Sequence, residues 1–187
     1  MPKDITTKLT RVTLSALLML LAFSVTAHAA QKMPDLHLTA GPGQAEELGL
    51  GKGTEAFRLS DIPAEAVFIE VFSMYCPICQ RDAPRVEELY DLVQKKAPGL
   101  LMFGIGAGNS QYETDVYSEK YNVRMPMLPD ADYKAHKALG NVGTPFYILL
   151  EKNDDGSFKV LFTQEGEILK KQEFFETVIS KAQKALK

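Results

Sequence analysis

The sequence predicts an α/β domain built on a central mixed β-sheet flanked by helices. Three observations carry that expectation. "AVFIEVF" (66–72) and "LLMFGIGAG" (100–108) are short apolar runs bounded by proline and glycine, the pattern of buried parallel strands. The stretch between them places Val86, Leu89, Leu92 and Val93 at three- and four-residue steps, the period of an amphipathic helix. The order strand–helix–strand–helix–helix–strand–hairpin–strand–helix then implies parallel crossovers and one antiparallel edge, with helices on both faces.

The chain opens with a segment set apart from this domain. Lys3, Lys8 and Arg11 precede an apolar run from Leu14 to Val25, and Ala27-His28-Ala29 fits a small-residue cleavage site, so residues 1–29 read as a signal peptide. The run is shorter than the about 20 residues a membrane span needs; an uncleaved N-terminal anchor is the alternative. Residues 30–56, with "TAGPGQAEELGLGKG", read as an irregular segment rich in Gly, Pro and small polar residues. Residues 57–187 form the folded domain, with a short strand near Phe57–Leu59. The chain's formal charge is −3, and its first 29 residues carry three basic and one acidic side chains, leaving about −5 on the rest. That balance argues against nucleic acid as a partner.

The later elements follow in order. Pro77 sits in the first turn of the helix after Cys76, where its missing N–H costs nothing. Pro84 predicts a kink, and Pro98-Gly99 ends the helix. "SQYETDVYSEKYN" (110–122) is a helix with Ser110 as N-cap and Glu113 three residues on. "VRMPMLPD" (123–130) is extended between its prolines, and Asp130 caps a helix over "ADYKAHKALG". "PFYILLE" (145–151) and "FKVLFTQ" (158–164) are strands joined by the turn "KNDDGS". Gly166 breaks the second, and 170–187 is the final helix.

Both cysteines of the chain lie in Cys76-Pro77-Ile78-Cys79. No other cysteine is present to form a disulfide scaffold, so the motif is chemistry or coordination. Cys76 falls at a strand-to-helix junction, at the carboxyl end of a parallel strand, where α/β sheets gather their chemistry. Backbone N–H groups at the helix start favour a thiolate there. Cys79, one turn on, is placed to resolve a mixed disulfide. Structural zinc needs four N or S ligands, and beyond residue 29 only His37 and His136 remain to add. Haem attachment needs His after the second cysteine, where Gln80 stands. A peroxidase pattern, P-x-x-x-[TS]-x-x-C, finds Ser73 but also Ile69 in place of proline. Met125, Met127 and His136 add soft or imidazole donors that suit Cu(I), against a plain role in the core or on a helix face.

These residues resemble the thioredoxin superfamily, and most of all its exported TlpA/ResA-like branch, over about residues 57–186. The motif at 76–79 matches, Tyr75 stands where the family commonly has Trp, and Pro84 matches a helix proline five residues after the second cysteine. "GNVGTPFYILLE" resembles the family's cis-proline loop, and Gly166 a glycine after its last strand. The resemblance implies a thioredoxin-like fold with an extra helix between the motif helix and the cis-proline loop. It implies that Cys76 and Cys79 form a redox-active disulfide and that Glu70 exchanges protons with Cys79. It further implies that Tyr75, Pro77, Ile78, Thr144 and cis-Pro145 hold a partner chain. Glu70 replaces the usual Asp, and Gly104 lies near where typical thioredoxins place a Lys, so the proton relay is expected to run through Glu70 and water.

The resemblance implies an enzyme, an exported, periplasmic thiol–disulfide oxidoreductase, monomeric and without a further cofactor or metal. Its expected partners are cysteine-containing proteins and a membrane electron donor or acceptor. Reduction, in the service of cytochrome c maturation or of metal-centre cysteines, is the expected direction. A thiol oxidant and a Cu(I)-delivery module stay open as alternatives.

Overall fold

A computed structural model describes residues 33–187. The expected signal peptide, residues 1–29, lies outside the described residues. Among those described, the elements in chain order are β1 (His37–Thr39), α1 (Gln44–Glu47), β2 (Ala56–Arg58), β3 (Ala66–Phe72), α2 (Pro77–Lys96), β4 (Leu100–Ala107), α3 (Gln111–Tyr121), β5 (Met127–Asp130), α4 (Lys134–Ala138), β6 (Phe146–Lys152), β7 (Phe158–Glu165) and α5 (Lys171–Ala185).

β3 is buried along its whole length and is the axis of a five-stranded sheet of order β5-β4-β3-β6-β7. It pairs in parallel with β4, and β4 in parallel with β5. It pairs antiparallel with β6, and β6 antiparallel with β7. Alternation along β3 divides the core. Ala66, Phe68 and Phe72 face one side, under α2, α5 and Tyr117 of α3. Val67, Ile69 and Val71 face the other. This is the mixed, helix-flanked sheet that the sequence predicts.

Three parts differ from the expectation. The extended stretch 123–130 contains the third strand of the parallel system, β5. Its prolines are tolerated because β5 lies at the sheet edge, where a missing N–H breaks no inner ladder. The helix after Asp130 starts later, at Lys134, preceded by Tyr133 with φ 58. Asp130 still satisfies its first turn: the carboxylate accepts the N–H groups of Ala135 at 3.0 Å and His136 at 2.9 Å.

The segment expected to be irregular is the lid on the second face. β1 and β2 form an antiparallel pair, and Leu36, Leu38, Leu48 and Phe57 are buried against Val67, Ile69 and Ile105. Each such side chain contributes about 1.5–3 kcal/mol on burial, which offsets the ordering of a glycine-rich strap. Among the described residues, Ala135 of α4 is the fully buried helix residue of that second layer beyond the strap.

Gly104 shows how close the packing is on the first face. It stands opposite Glu70 in the β3–β4 register, and a β-carbon there would meet the Met127 sulfur at 2.5 Å. Gly104→Ala is therefore expected to lower stability by about 1–3 kcal/mol through overpacking, read as a lower urea midpoint. An unchanged midpoint would mean that Met127 swings aside freely.

Candidate active site

The strand β3 ends at Phe72, and the chain turns through Ser73–Tyr75 into α2. Cys76 is the N-cap of that helix, with extended backbone (φ −80, ψ 114) and Pro77 in the first turn. Its Sγ accepts the N–H of Cys79 at 3.3 Å, so a sulfur fills the place that Ser or Asp usually takes at a helix start. Its thiol donates to the Thr144 carbonyl at 3.2 Å. Thr144 is joined to Pro145 by a cis peptide bond, as the loop sequence implies.

The two cysteines are unlike. Cys76 is half-buried and Cys79 fully buried. Burial alone would raise the Cys76 pKa. Hydrogen bonds from Cys79, the Thr144 side chain and the Ile78 backbone outweigh it, and the thiol lies below its ordinary value. At Cys79 burial prevails, reinforced by its hydrogen bond to Cys76 and the charge of Glu70, and the thiol is pushed well up. The pair therefore offers one sulfur that ionises readily and one that holds its proton.

Glu70 lies in mid-strand on the face that carries Phe68, Phe72 and Cys79, and it is 1% exposed. Its Oε1 is buried without a hydrogen-bond partner. Burial first, then the charges of Asp82, Cys76 and Glu87, push its carboxyl up to about 8. A buried acid without a partner keeps its proton because the charged form has lost its water.

Asp82, which the sequence reading did not single out, is the second buried carboxylate here. It lies on α2 one turn beyond Cys79 and is 0% exposed. It accepts the Tyr147 hydroxyl at 3.1 Å and the Ile168 N–H at 2.8 Å, and pairs with Arg85. The signal was present: position 82 falls on the same helix face as Cys79, Val86 and Leu89, where an acid breaks the apolar period. Tyr147 faces Glu70 across the β3–β6 register. The two acids and this tyrosine thus form one polar island beneath the motif.

The remaining expected residues form the rim. Tyr75 is exposed, and its hydroxyl bonds to the Glu113 carboxylate of α3. That bond raises the Tyr75 pKa and lowers that of Glu113. Pro77 is exposed, Ile78 half-buried and Pro145 buried. Met125 and Met127 are core residues, and His136 uses Nε2 on the Val142 carbonyl at 2.8 Å. Among the described residues, no group of three or more His, Cys, Asp or Glu side chains is placed to hold a metal ion.

Residues 29–169 match the AhpC/TSA family, and the chain belongs to it. The thioredoxin-like resemblance of the sequence is borne out. The chain is 26% identical over 106 residues to the thiol-disulfide oxidoreductase ResA of Geobacillus thermodenitrificans, covering 57% of this chain and 59% of that protein. It is 29% identical over 113 residues to ResA of Geobacillus kaustophilus, covering 60% and 62%. It thus spans less than two-thirds of those relatives' length. Among solved structures it is similar in fold to a secreted Mycobacterium tuberculosis disulfide oxidoreductase homologous to E. coli DsbE, with TM-score 0.57, 16% identity, and coverage of 78% of this chain and 96% of that one. It is likewise similar to the thioredoxin domain of a thiol-disulfide oxidoreductase from Bacteroides vulgatus, with TM-score 0.59, 12% identity, and coverage of 84% and 97%.

The Glu70 carboxyl makes stability depend on pH. The folded protein holds its proton up to about pH 8, whereas an unperturbed acid releases it near 4.5. This group's contribution is fully present below about 4.5 and is lost as pH rises towards about 8, at up to about 1.4 kcal/mol per unit. Glu70→Gln, isosteric with the protonated acid, is expected to remove that slope. Urea unfolding at several pH values should show the variant gaining on the native protein as pH rises. Parallel stability curves would show Glu70 ionising like an exposed acid.

Proposed function

We propose that the protein is a thiol–disulfide oxidoreductase that reduces disulfides in partner proteins. The observation that carries this is the asymmetry of the cysteines: a half-exposed helix-capping thiol that ionises readily, beside a buried one that does not. In the first step the Cys76 thiolate attacks a partner disulfide, forming a mixed disulfide and releasing one partner thiolate. In the second, Cys79 gives up its proton and attacks Cys76 Sγ. The Cys76–Cys79 disulfide forms, and the second partner thiolate leaves. Two electrons pass to the partner overall; its two thiolates take up protons from solvent, while the Cys79 proton is held at Glu70.

Glu70 serves the second step. Its ionised form, reachable near neutral pH, accepts the Cys79 proton; its protonated form returns one when the site is reduced again. Thr144 and Pro145 present backbone to an extended partner segment, with Tyr75, Pro77 and Ile78 as its contact surface. The high Cys79 pKa favours the reducing direction. An outside thiol that attacks Cys76 Sγ must expel Cys79, and a high-pKa thiol is a poor leaving group. The names of the ResA relatives support the activity; in this reading the substrates are cytochrome c or metal-centre cysteines. In this reading residues 1–29 direct export, residues 57–187 act in the periplasm as a monomer, and a membrane electron donor regenerates the dithiol.

Two measurements decide it. Cys79→Ser is expected to accumulate the mixed disulfide with a model disulfide protein, while Cys76→Ser loses exchange; full activity in Cys76→Ser would sink the assignment. The reduction potential of the pair is expected nearer thioredoxin's about −270 mV than the about −120 mV of strong oxidants of this type. A value at the oxidant end would reverse the direction.

A further inference from the structure

The backbone that meets Cys76 comes from a loop, residues 139–145, with no strand pairing of its own before Phe146. Gly140 (φ 88) and Asn141 (φ 56) both adopt the left-handed conformation, which turns the chain sharply out of α4. Such a loop keeps a fixed course only where it is tied down. At its far end the Gly166 N–H bonds the Pro145 carbonyl at 2.8 Å, and Glu165 packs on Gly143. At its near end one residue makes two ties. The His136 carbonyl accepts the Asn141 N–H at 3.0 Å, and the His136 ring bonds the Val142 carbonyl through Nε2 at 2.8 Å.

His136 is itself fixed. Its N–H is held by the Asp130 carboxylate at the end of β5, and its ring meets Tyr133 edge-on. Because a carbonyl can only accept, Nε2 carries the proton. Nδ1 is then a bare acceptor, buried without a partner. A simply packed position would be filled more favourably by an apolar ring, since an unmatched buried acceptor carries a desolvation penalty. The ring's one donor ends on the carbonyl two residues before Thr144.

We propose that His136 is a positioning residue for the thiol chemistry, clamping Val142 so that the Thr144 backbone is held against Cys76 and presented to the partner segment. The clamp rests on the oxidoreductase reading for its functional meaning. It does not depend on it for its structural one, the 3.2 Å contact between Cys76 Sγ and the Thr144 carbonyl.

Three substitutions separate positioning from plain packing. His136→Gln keeps an N–H donor at about the reach of Nε2. His136→Asn ends about where the unpartnered Nδ1 lies. His136→Phe keeps the ring and removes both nitrogens. Steady-state disulfide reduction with a model protein, the thiolate absorbance titration of Cys76 and thermal unfolding are measured for each. Asn and Phe are expected to raise KM by up to about a hundredfold, the scale of a small misplacement of reacting groups. They are also expected to move the Cys76 titration upward, because the Thr144 side-chain hydrogen bond that lowers it is lost with the loop's position. Gln stays near the native values, and Phe unfolds at the native temperature or above. The proposal is overturned if the Phe variant, folded, keeps the native KM and Cys76 titration, or if Gln fails to restore what Asn loses. If the native protein shows no exchange, the oxidoreductase reading fails, and the Cys76 titrations of the Phe and Gln variants still decide the clamp.

Discussion

A carboxyl group with one oxygen buried and without a hydrogen-bond partner lies at the centre of the most buried strand, and the first face of the sheet is arranged around that fact. Ionised, Glu70 would carry an effective penalty of several kcal/mol for lost hydration. The fold meets this by keeping the group neutral over the ordinary pH range. Neutrality in turn depends on what lies nearby. Across one neighbouring strand is Gly104, with no side chain, its space taken by the Met127 sulfur. Across the other is Tyr147, whose hydroxyl turns to Asp82. The nearby negative charge, Asp82, has its own cation in Arg85, and so raises the Glu70 pKa while staying satisfied itself.

The same face explains why two cysteines three positions apart differ in chemistry. A helix N-cap is the one place on a helix where a side-chain atom can meet free backbone N–H groups, and Cys76 occupies it. One turn later the helix has carried Cys79 inward, beside aromatic residues and above Glu70. The difference between the two thiols follows from helix geometry and from the depth of the face that α2 covers.

Much of this was legible in the sequence because it obeys local rules. Apolar runs gave β3 and β4, the three-to-four periodicity gave α2, and Ser110 with Glu113 gave the α3 start, where both halves of the capping box form. What was not legible depends on long-range pairing. β5 is four residues with a proline among them, and it becomes a strand only because β4 offers a free edge. The strap before β3 lacks any period, since its buried leucines are spaced by glycine and proline rather than by a helix or strand repeat. Within the site, the motif, Glu70 and the cis-proline could be named from their letters. Asp82 shows in the letters only as an acid on the apolar face of α2; its Tyr147 partner, 65 residues on, and the tie of His136 to Val142, six residues on, are joined only by folding.

The crossover between β4 and β5 gains a purpose from these contacts. Read as sequence, α3 is an added helix between the motif and the cis-proline loop. In the structure, it and the residue pair that leads into it grip the turn bearing Cys76. Asn109 Oδ1 accepts the Met74 N–H at 2.9 Å, Glu113 takes the Tyr75 hydroxyl, and the Tyr117 hydroxyl bonds the Cys79 carbonyl at 2.9 Å. Glu113 can do this because its other oxygen is fixed on the Ser110 N–H and hydroxyl, both at 2.7 Å. The helix cap thus doubles as a tether for the residue next to the nucleophile. On the opposite side the cis-proline loop is tied by His136 and Gly166. The sulfur of Cys76 therefore lies where two independently anchored segments meet: the motif turn held from α3, and the cis-proline loop whose Thr144 carbonyl accepts its thiol at 3.2 Å.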